Sequence, residues 1–138
     1  MASALVDEPG LVAWGEAFAR TLPRPAAVAV SGELGAGKTT LVRAMAGALG
    51  VTERVTSPTF ALVHRYAGDG VTVFHVDAYR LRAADDTRDL GFDDMLADPA
   101  AVILVEWPER LGARAPIFSH RIVLTHAEGG SRRQLTWP

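Results

Sequence analysis

The chain has no cysteine and no asparagine, and among its 138 residues it has a single glutamine, Gln134, and a single lysine, Lys38. Without cysteine it can form neither a disulfide nor a thiolate-ligated metal site, which agrees with a reducing compartment. Without asparagine it lacks the N-K-x-D motif through which regulatory GTPases commonly select guanine. Its apolar runs fall far short of the roughly 20 residues of a membrane-spanning helix. The first fourteen residues carry Asp7 and Glu8 and no basic residue, unlike a secretory signal. A cytoplasmic protein is therefore expected. Positive charge is also scarce: the net charge is −2, and no basic run exceeds the pair Arg132 and Arg133. Nucleic-acid binding usually needs a broad basic face, so contact with RNA is expected only indirectly, through partners.

The length fits one domain, residues 1–138, because dividing it would leave two cores too small to be stable. With 49% apolar residues the chain can build that core. Leu11, Val12, Trp14, Phe18 and Leu22 predict an amphipathic helix that ends near Pro23. Ala26 to Val30 and Ala101 to Val105 are unbroken apolar runs, the pattern of strands buried on both faces. Thr39 to Leu49 reads as a helix stopped by Gly50. Phe60 to Tyr66 and Val71 to Val76 read as strands joined at Gly68, Asp69 and Gly70. Ile122 to Thr125 and Gln134 to Trp137 read as a closing hairpin. Two short surface helices are expected within Ala83 to Ala97, and a helical turn from Pro108 to Ala113. Strands that alternate with helices predict an α/β layered sheet of the P-loop NTPase kind, parallel at its centre with antiparallel edge hairpins.

Gly32-Glu33-Leu34-Gly35-Ala36-Gly37-Lys38-Thr39 matches the Walker A pattern G-x-x-x-x-G-K-[ST], with Thr40 following. Glycines allow backbone N–H groups to converge on phosphate oxygens, Lys38 reaches the β- and γ-phosphates, and the Thr39 hydroxyl can ligate magnesium. Thirteen of the fourteen basic residues are arginine, so the lone lysine falls at the position that needs a compact, movable cation. ATP with Mg2+ is the expected ligand pair.

Such a loop is completed by a carboxylate at the end of a neighbouring strand, which holds the magnesium, usually through water. Two residues qualify, Asp77 after Val76 and Glu106 after Val105, each at the carboxyl edge of the sheet where α/β ligands bind. Ser57-Pro58-Thr59-Phe60 is a turn before a strand, at the place where nucleotide switches put a threonine that senses the γ-phosphate. His75 reads as a packed core residue more readily than as a general base. Trp107 could be core, a nucleotide contact or a partner anchor. Arg80 could pair with Asp77, touch phosphate or serve a partner.

Taken in order, GELGAGKTT, SPTF, HVDAYR and VEWPER resemble the bacterial TsaE (YjeE) family, and the resemblance runs from about Leu11 to Trp137. It implies an ATPase needed to make threonylcarbamoyladenosine beside the anticodon of tRNAs that read codons beginning with A. It also implies action with TsaB and TsaD, whose turnover the hydrolysis supports. By motif, Thr39 and Glu106 resemble magnesium-site residues, Thr59 and Asp77 switch or hydrolytic residues, and Trp107 an adjacent functional aromatic. The approach to the loop departs from the family, with Arg24-Pro25-Ala26-Ala27 where a Gly-Asp turn is frequent. The main rival is a small-molecule kinase, which would need an arginine-bearing lid; only Ala83 to Ala97, flanked by Arg82 and containing Arg88, could supply one.

Overall fold

The computed structural model describes residues 2–55, 62–79, 81, 90–127, 130 and 132–138. The expected switch residue Thr59, the arginines Arg80, Arg82 and Arg88, and the first of the two helices expected in 83–97 lie outside these residues.

The elements in chain order are β1 (Ala2–Val6), α1 (Glu8–Thr21), β2 (Ala26–Gly32), α2 (Lys38–Ala48), β3 (Val63–Ala67), β4 (Thr72–Asp77), α3 (Phe92–Ala97), β5 (Ala101–Glu106), a 3-10 segment (Pro108–Arg114), β6 (His120–His126) and β7 (Arg133–Trp137). All seven strands join one sheet in the order β1-β7-β6-β2-β5-β4-β3. The four central strands β6, β2, β5 and β4 are parallel, while β3 at one edge and β7 and β1 at the other are antiparallel to their neighbours. This is the expected layered sheet with a parallel centre.

Side-chain alternation divides the core in two. Val28 and Val30 of β2, Val73 of β4, and Val102 and Leu104 of β5 pack with Leu11 and Ala19 of α1 and with Leu41, Val42 and Met45 of α2. On the opposite face Ala27, Val76, Ile103 and Val105 pack with Phe92 and Met95 of α3 and with Leu111. Every residue of β5 is buried, as are the first five of β2. Full burial of one Val or Leu side chain is worth roughly 1.5–3 kcal/mol, so these two strands are firm supports for whatever hangs on their carboxyl ends.

Helix α1 begins at Glu8, three residues before the first expected apolar position, because Asp7 caps it by accepting the Gly10 N–H at 2.8 Å. The strand β1 was not expected. Its five residues are broken by Ser3 and leave too short an apolar run to read as a strand, and its partner β7 is distant in sequence, in the register Ala2↔Trp137 to Val6↔Arg133. The second helix expected in 83–97 is α3, and two of its residues, Phe92 and Met95, are core rather than surface. Among the described residues no helix is long and apolar enough to cross a membrane.

Candidate functional site

The glycine-rich loop leaves the carboxyl end of the central strand β2 and enters α2 directly. Gly32 has no room for a side chain, since a Cβ there would stand 2.5 Å from the Leu124 carbonyl oxygen. Gly37 caps α2 with a left-handed φ of 103°, which a glycine adopts without strain. The first turn of the helix begins at Lys38, and its N-terminal end is where an anion is favoured.

Lys38 is buried, and its Nζ donates to the carbonyls of Gly32 at 2.6 Å and Glu33 at 2.7 Å. The ammonium also lies 4.1 Å from the centre of the Trp107 ring, within cation–π range. Burial pushes its pKa below the usual lysine range, an effect that Glu106, Glu109, Asp77 and Glu33 oppose in that order.

Three successive carbonyls on the outer side of the loop are held by the β6–β7 hairpin. His126 Nε2 donates to Leu34 at 3.3 Å, Arg133 Nη2 to Gly35 at 3.3 Å and Arg133 Nε to Ala36 at 3.1 Å. Since C=O and N–H of a trans peptide point in opposite directions, the N–H groups of Gly35 and Gly37 are turned away from the hairpin. Ala36 N–H instead closes the turn onto the Glu33 carbonyl. In the sequence Arg133 stands out only as half of a basic pair. Nothing in its local pattern signals a hydrogen bond to a loop 97 residues away.

The two expected carboxylates are neighbours. Asp77 and Glu106 are register partners at the ends of the parallel strands β4 and β5. His75, Asp77 and Glu106 share the alternation of Val73 and Leu104, which puts them on the side of the sheet that carries α2. Glu106 is 2% exposed; its Oε1 accepts the Thr39 hydroxyl at 3.0 Å, and its Oε2 lies 2.6 Å from His75 Nε2. Asp77 Oδ1 accepts the Tyr79 N–H at 3.0 Å. His75 is core, as expected, yet it is also bonded to a site carboxylate. The H-x-D spacing puts His75 and Asp77 on one side of a strand, but only the pairing of β4 with β5 brings Glu106 to them.

Trp107 follows Glu106 with a left-handed backbone, φ 58° and ψ 50°, the one non-glycine residue with positive φ among those described. A bulky residue there is strained by about 1–3 kcal/mol. The turn aims the indole over Lys38 and against Tyr79, whose ring centre is 4.9 Å away, and Arg110 lies over both rings. Leu34, Gly35, Gly37, Lys38, Thr39, Thr40, Asp77, Tyr79, Glu106 and Trp107 line one cleft of about 330 Å³. Of the expected site residues, Gly32, Glu33 and Ala36 build the loop behind it.

The chemistry of this cleft suits a hard cation beside phosphate. The Thr39 hydroxyl and the carboxylates of Asp77 and Glu106 offer oxygen only, and among the described residues no three His, Asp or Glu side chains form a closed metal cage. Magnesium typically takes one or two protein oxygens and fills its remaining positions with phosphate and water.

Comparison with known proteins identifies the family. The family model "Threonylcarbamoyl adenosine biosynthesis protein TsaE" matches residues 5–135. A tRNA threonylcarbamoyladenosine biosynthesis protein TsaE from Treponema pallidum is 36% identical over 119 residues, covering 86% of this chain and 87% of the relative. The Streptomyces coelicolor protein of the same name is 50% identical over 98 residues, 69% of this chain and 65% of that one. The crystal structure of Bacillus subtilis YdiB superposes with a TM-score of 0.81 at 27% identity, covering 99% of this chain and 83% of the other. With the Walker A loop on the central strand of a P-loop NTPase fold, the chain belongs to the TsaE family of tRNA threonylcarbamoyladenosine biosynthesis.

Proposed function

We propose that this chain is a single-domain, cytoplasmic, magnesium-dependent ATPase that supports threonylcarbamoyladenosine formation on tRNA together with TsaB and TsaD, the partners that the family resemblance implies. The observation that carries the reading is the convergence of Lys38, Thr39 and Glu106, from two separate segments, in one cleft at the mouth of the glycine-rich loop.

In this reading Lys38 gives up its two loop carbonyls and turns to the β- and γ-phosphates, while the loop N–H groups hold the same oxygens. Thr39 and a carboxylate, Glu106 or Asp77, would hold the Mg2+. The ion, when bound, neutralises charge on the β- and γ-phosphate oxygens. Asp77, Glu106 and Thr59 are the residues available to orient the attacking water, and Trp107 closes the wall beside Lys38. No glutamine takes part, because Gln134 belongs to β7 and is paired there with Leu5 and Thr125. The arginine that stabilises transferred charge in fast P-loop hydrolases would come from Arg80 or from a partner, and such a residue is worth a factor of about 1,000 or more. The isolated protein is therefore expected to hydrolyse ATP slowly and to be accelerated by TsaB with TsaD. Steady-state ATPase assays with and without the two proteins test this; fast turnover alone, unchanged at saturating partner concentrations, would sink it.

A further inference from the structure

His75 lies on β4, one strand in from the sheet edge, with no exposed surface, and one of its two ring nitrogens, Nδ1, has no hydrogen-bond partner among the described residues. An aliphatic side chain would fill such a place without leaving a polar atom unpaired, and a buried group of this kind calls for a reason. The reason is at the other end of the ring. Nε2 lies 2.6 Å from Glu106 Oε2, short for a nitrogen–oxygen hydrogen bond and in the range of a charge-assisted one. With Glu106 ionised the carboxylate can only accept, so the donor in this contact is the Nε2–H of the ring. The imidazole is not among the groups that line the cleft, so it meets a ligand only through Glu106.

We infer that His75 is a positioning residue that pins Glu106 by one oxygen, through Nε2, and thereby presents the other oxygen to Thr39 and to the cation site of the cleft. The inference rests on the reading of Glu106 as a magnesium-site residue. Among the described residues the donors on the Glu106 carboxylate are Thr39 and His75. The Thr39 hydroxyl is the donor that would turn to the ion, which leaves His75 to hold the carboxylate in place. Partners of this kind fix the orientation of a ligand, and their loss typically lowers metal affinity about 10–100-fold.

The test uses three substitutions that differ in where a donor nitrogen sits. The amide nitrogen of His75→Gln is as many bonds from Cα as Nε2, that of His75→Asn as many as Nδ1, and His75→Leu has none. The probe is manganese(II) as a surrogate for magnesium, bound with a non-hydrolysable ATP analogue and counted by electron paramagnetic resonance. The Asn and Leu variants should bind the metal about 10–100-fold more weakly. The Gln variant should stay within about threefold of wild type, and metal-free affinity for the analogue should be alike in all. A structural role for His75 would instead rank the variants by melting temperature. Equal metal affinity for the Gln and Asn variants, or wild-type affinity in all three, overturns the inference. A wild-type protein that binds no manganese with the analogue overturns the magnesium reading of Glu106 itself. Nitrogen-15 shifts of the His75 ring give an independent check in the wild-type protein if a variant fails to fold. They should report a protonated Nε2 whose signal is displaced in Glu106→Gln; a bare Nε2 overturns the inference.

Discussion

Asp77 and Glu106 face each other as register partners across β4 and β5; Thr39 and His75 both hydrogen-bond the Glu106 carboxylate, and Asp77 Oδ1 accepts the backbone N–H of Tyr79. Glu106→Gln should therefore lower magnesium-dependent hydrolysis by about 10–100-fold while leaving nucleotide affinity within about threefold, since the loop contacts survive. Should Asp77→Asn abolish the magnesium dependence and Glu106→Gln preserve it, the two roles are exchanged. The double substitution should be less than additive, because both carboxylates act on one ion and its water. Magnesium titrations of ATPase activity at saturating ATP provide the measurement.

Lys38→Met should abolish tight ATP binding and leave the fold intact, as judged by circular dichroism. Lys38→Arg should also impair binding, because a planar guanidinium cannot replace a compact ammonium in the space between two carbonyls and an indole. The pH dependence has a definite sign. The folded state holds Lys38 at a lowered pKa, so between that value and the ordinary lysine value the unfolded chain binds more protons than the folded one. Across that alkaline window this group makes folding stability rise with pH, and below it the charged lysine is a net cost to the fold. The Met variant should melt no lower than wild type at neutral pH, and its margin should shrink as the pH is raised toward about 10. A margin that grows with pH would contradict the burial effect.

Arg133→Ala should weaken ATP binding about tenfold, equivalent to about 1.4 kcal/mol, with a smaller effect on turnover. The loss comes from freeing the carbonyls of Gly35 and Ala36, which Arg133 holds from outside the cleft. Arg133→Lys should recover only part of it, having a point charge in place of two directed donors. Titration with a fluorescent ADP analogue measures the effect. An unchanged dissociation constant would mean that the loop keeps its shape without the hairpin.

The central strands, the glycine-rich loop and the pair Asp77 and Glu106 were legible in the sequence because each rests on local chemistry: an apolar run, a spacing of glycines, a carboxylate at a strand end. What the sequence hid depends on contacts across the sheet. The edge strand β1 is defined by pairing with β7, not by its own residues. The grip of Arg133 on the loop and of His75 on Glu106 follows from strand order, which brings β6 beside β2 and β4 beside β5. The start of α1 is a different omission, since Asp7 followed by Glu8 and Pro9 is a local capping signal that precedes the first apolar residue.

Trp107 combines a strained backbone with a contact to Lys38, and substitutions can separate the two. Trp107→Phe keeps an aromatic face over the ammonium and should bind ATP nearly as wild type does. Trp107→Gly relieves the left-handed backbone but removes the ring, so melting temperature should hold better than affinity. Trp107→Ile puts a β-branched residue at positive φ and should be the least stable of the three, by about 1–3 kcal/mol relative to Gly. Thermal melts paired with nucleotide titration separate these outcomes, and an Ile variant as stable as Gly would show that the turn relaxes.

The pairing of Ala2 with Trp137 in adjacent antiparallel strands sets the outer ends of β1 and β7 side by side. A covalent cross-link between the two strands here would tie them together without moving either. Closing a loop of more than about 100 residues in this way would remove roughly 5 kcal/mol of freedom from the unfolded chain on the loop-entropy estimate. The link itself would sit at the edge of the sheet, away from the central strands β2 and β5 that carry the cleft, so a cross-linked form could be heated harder while its chemistry stays the same.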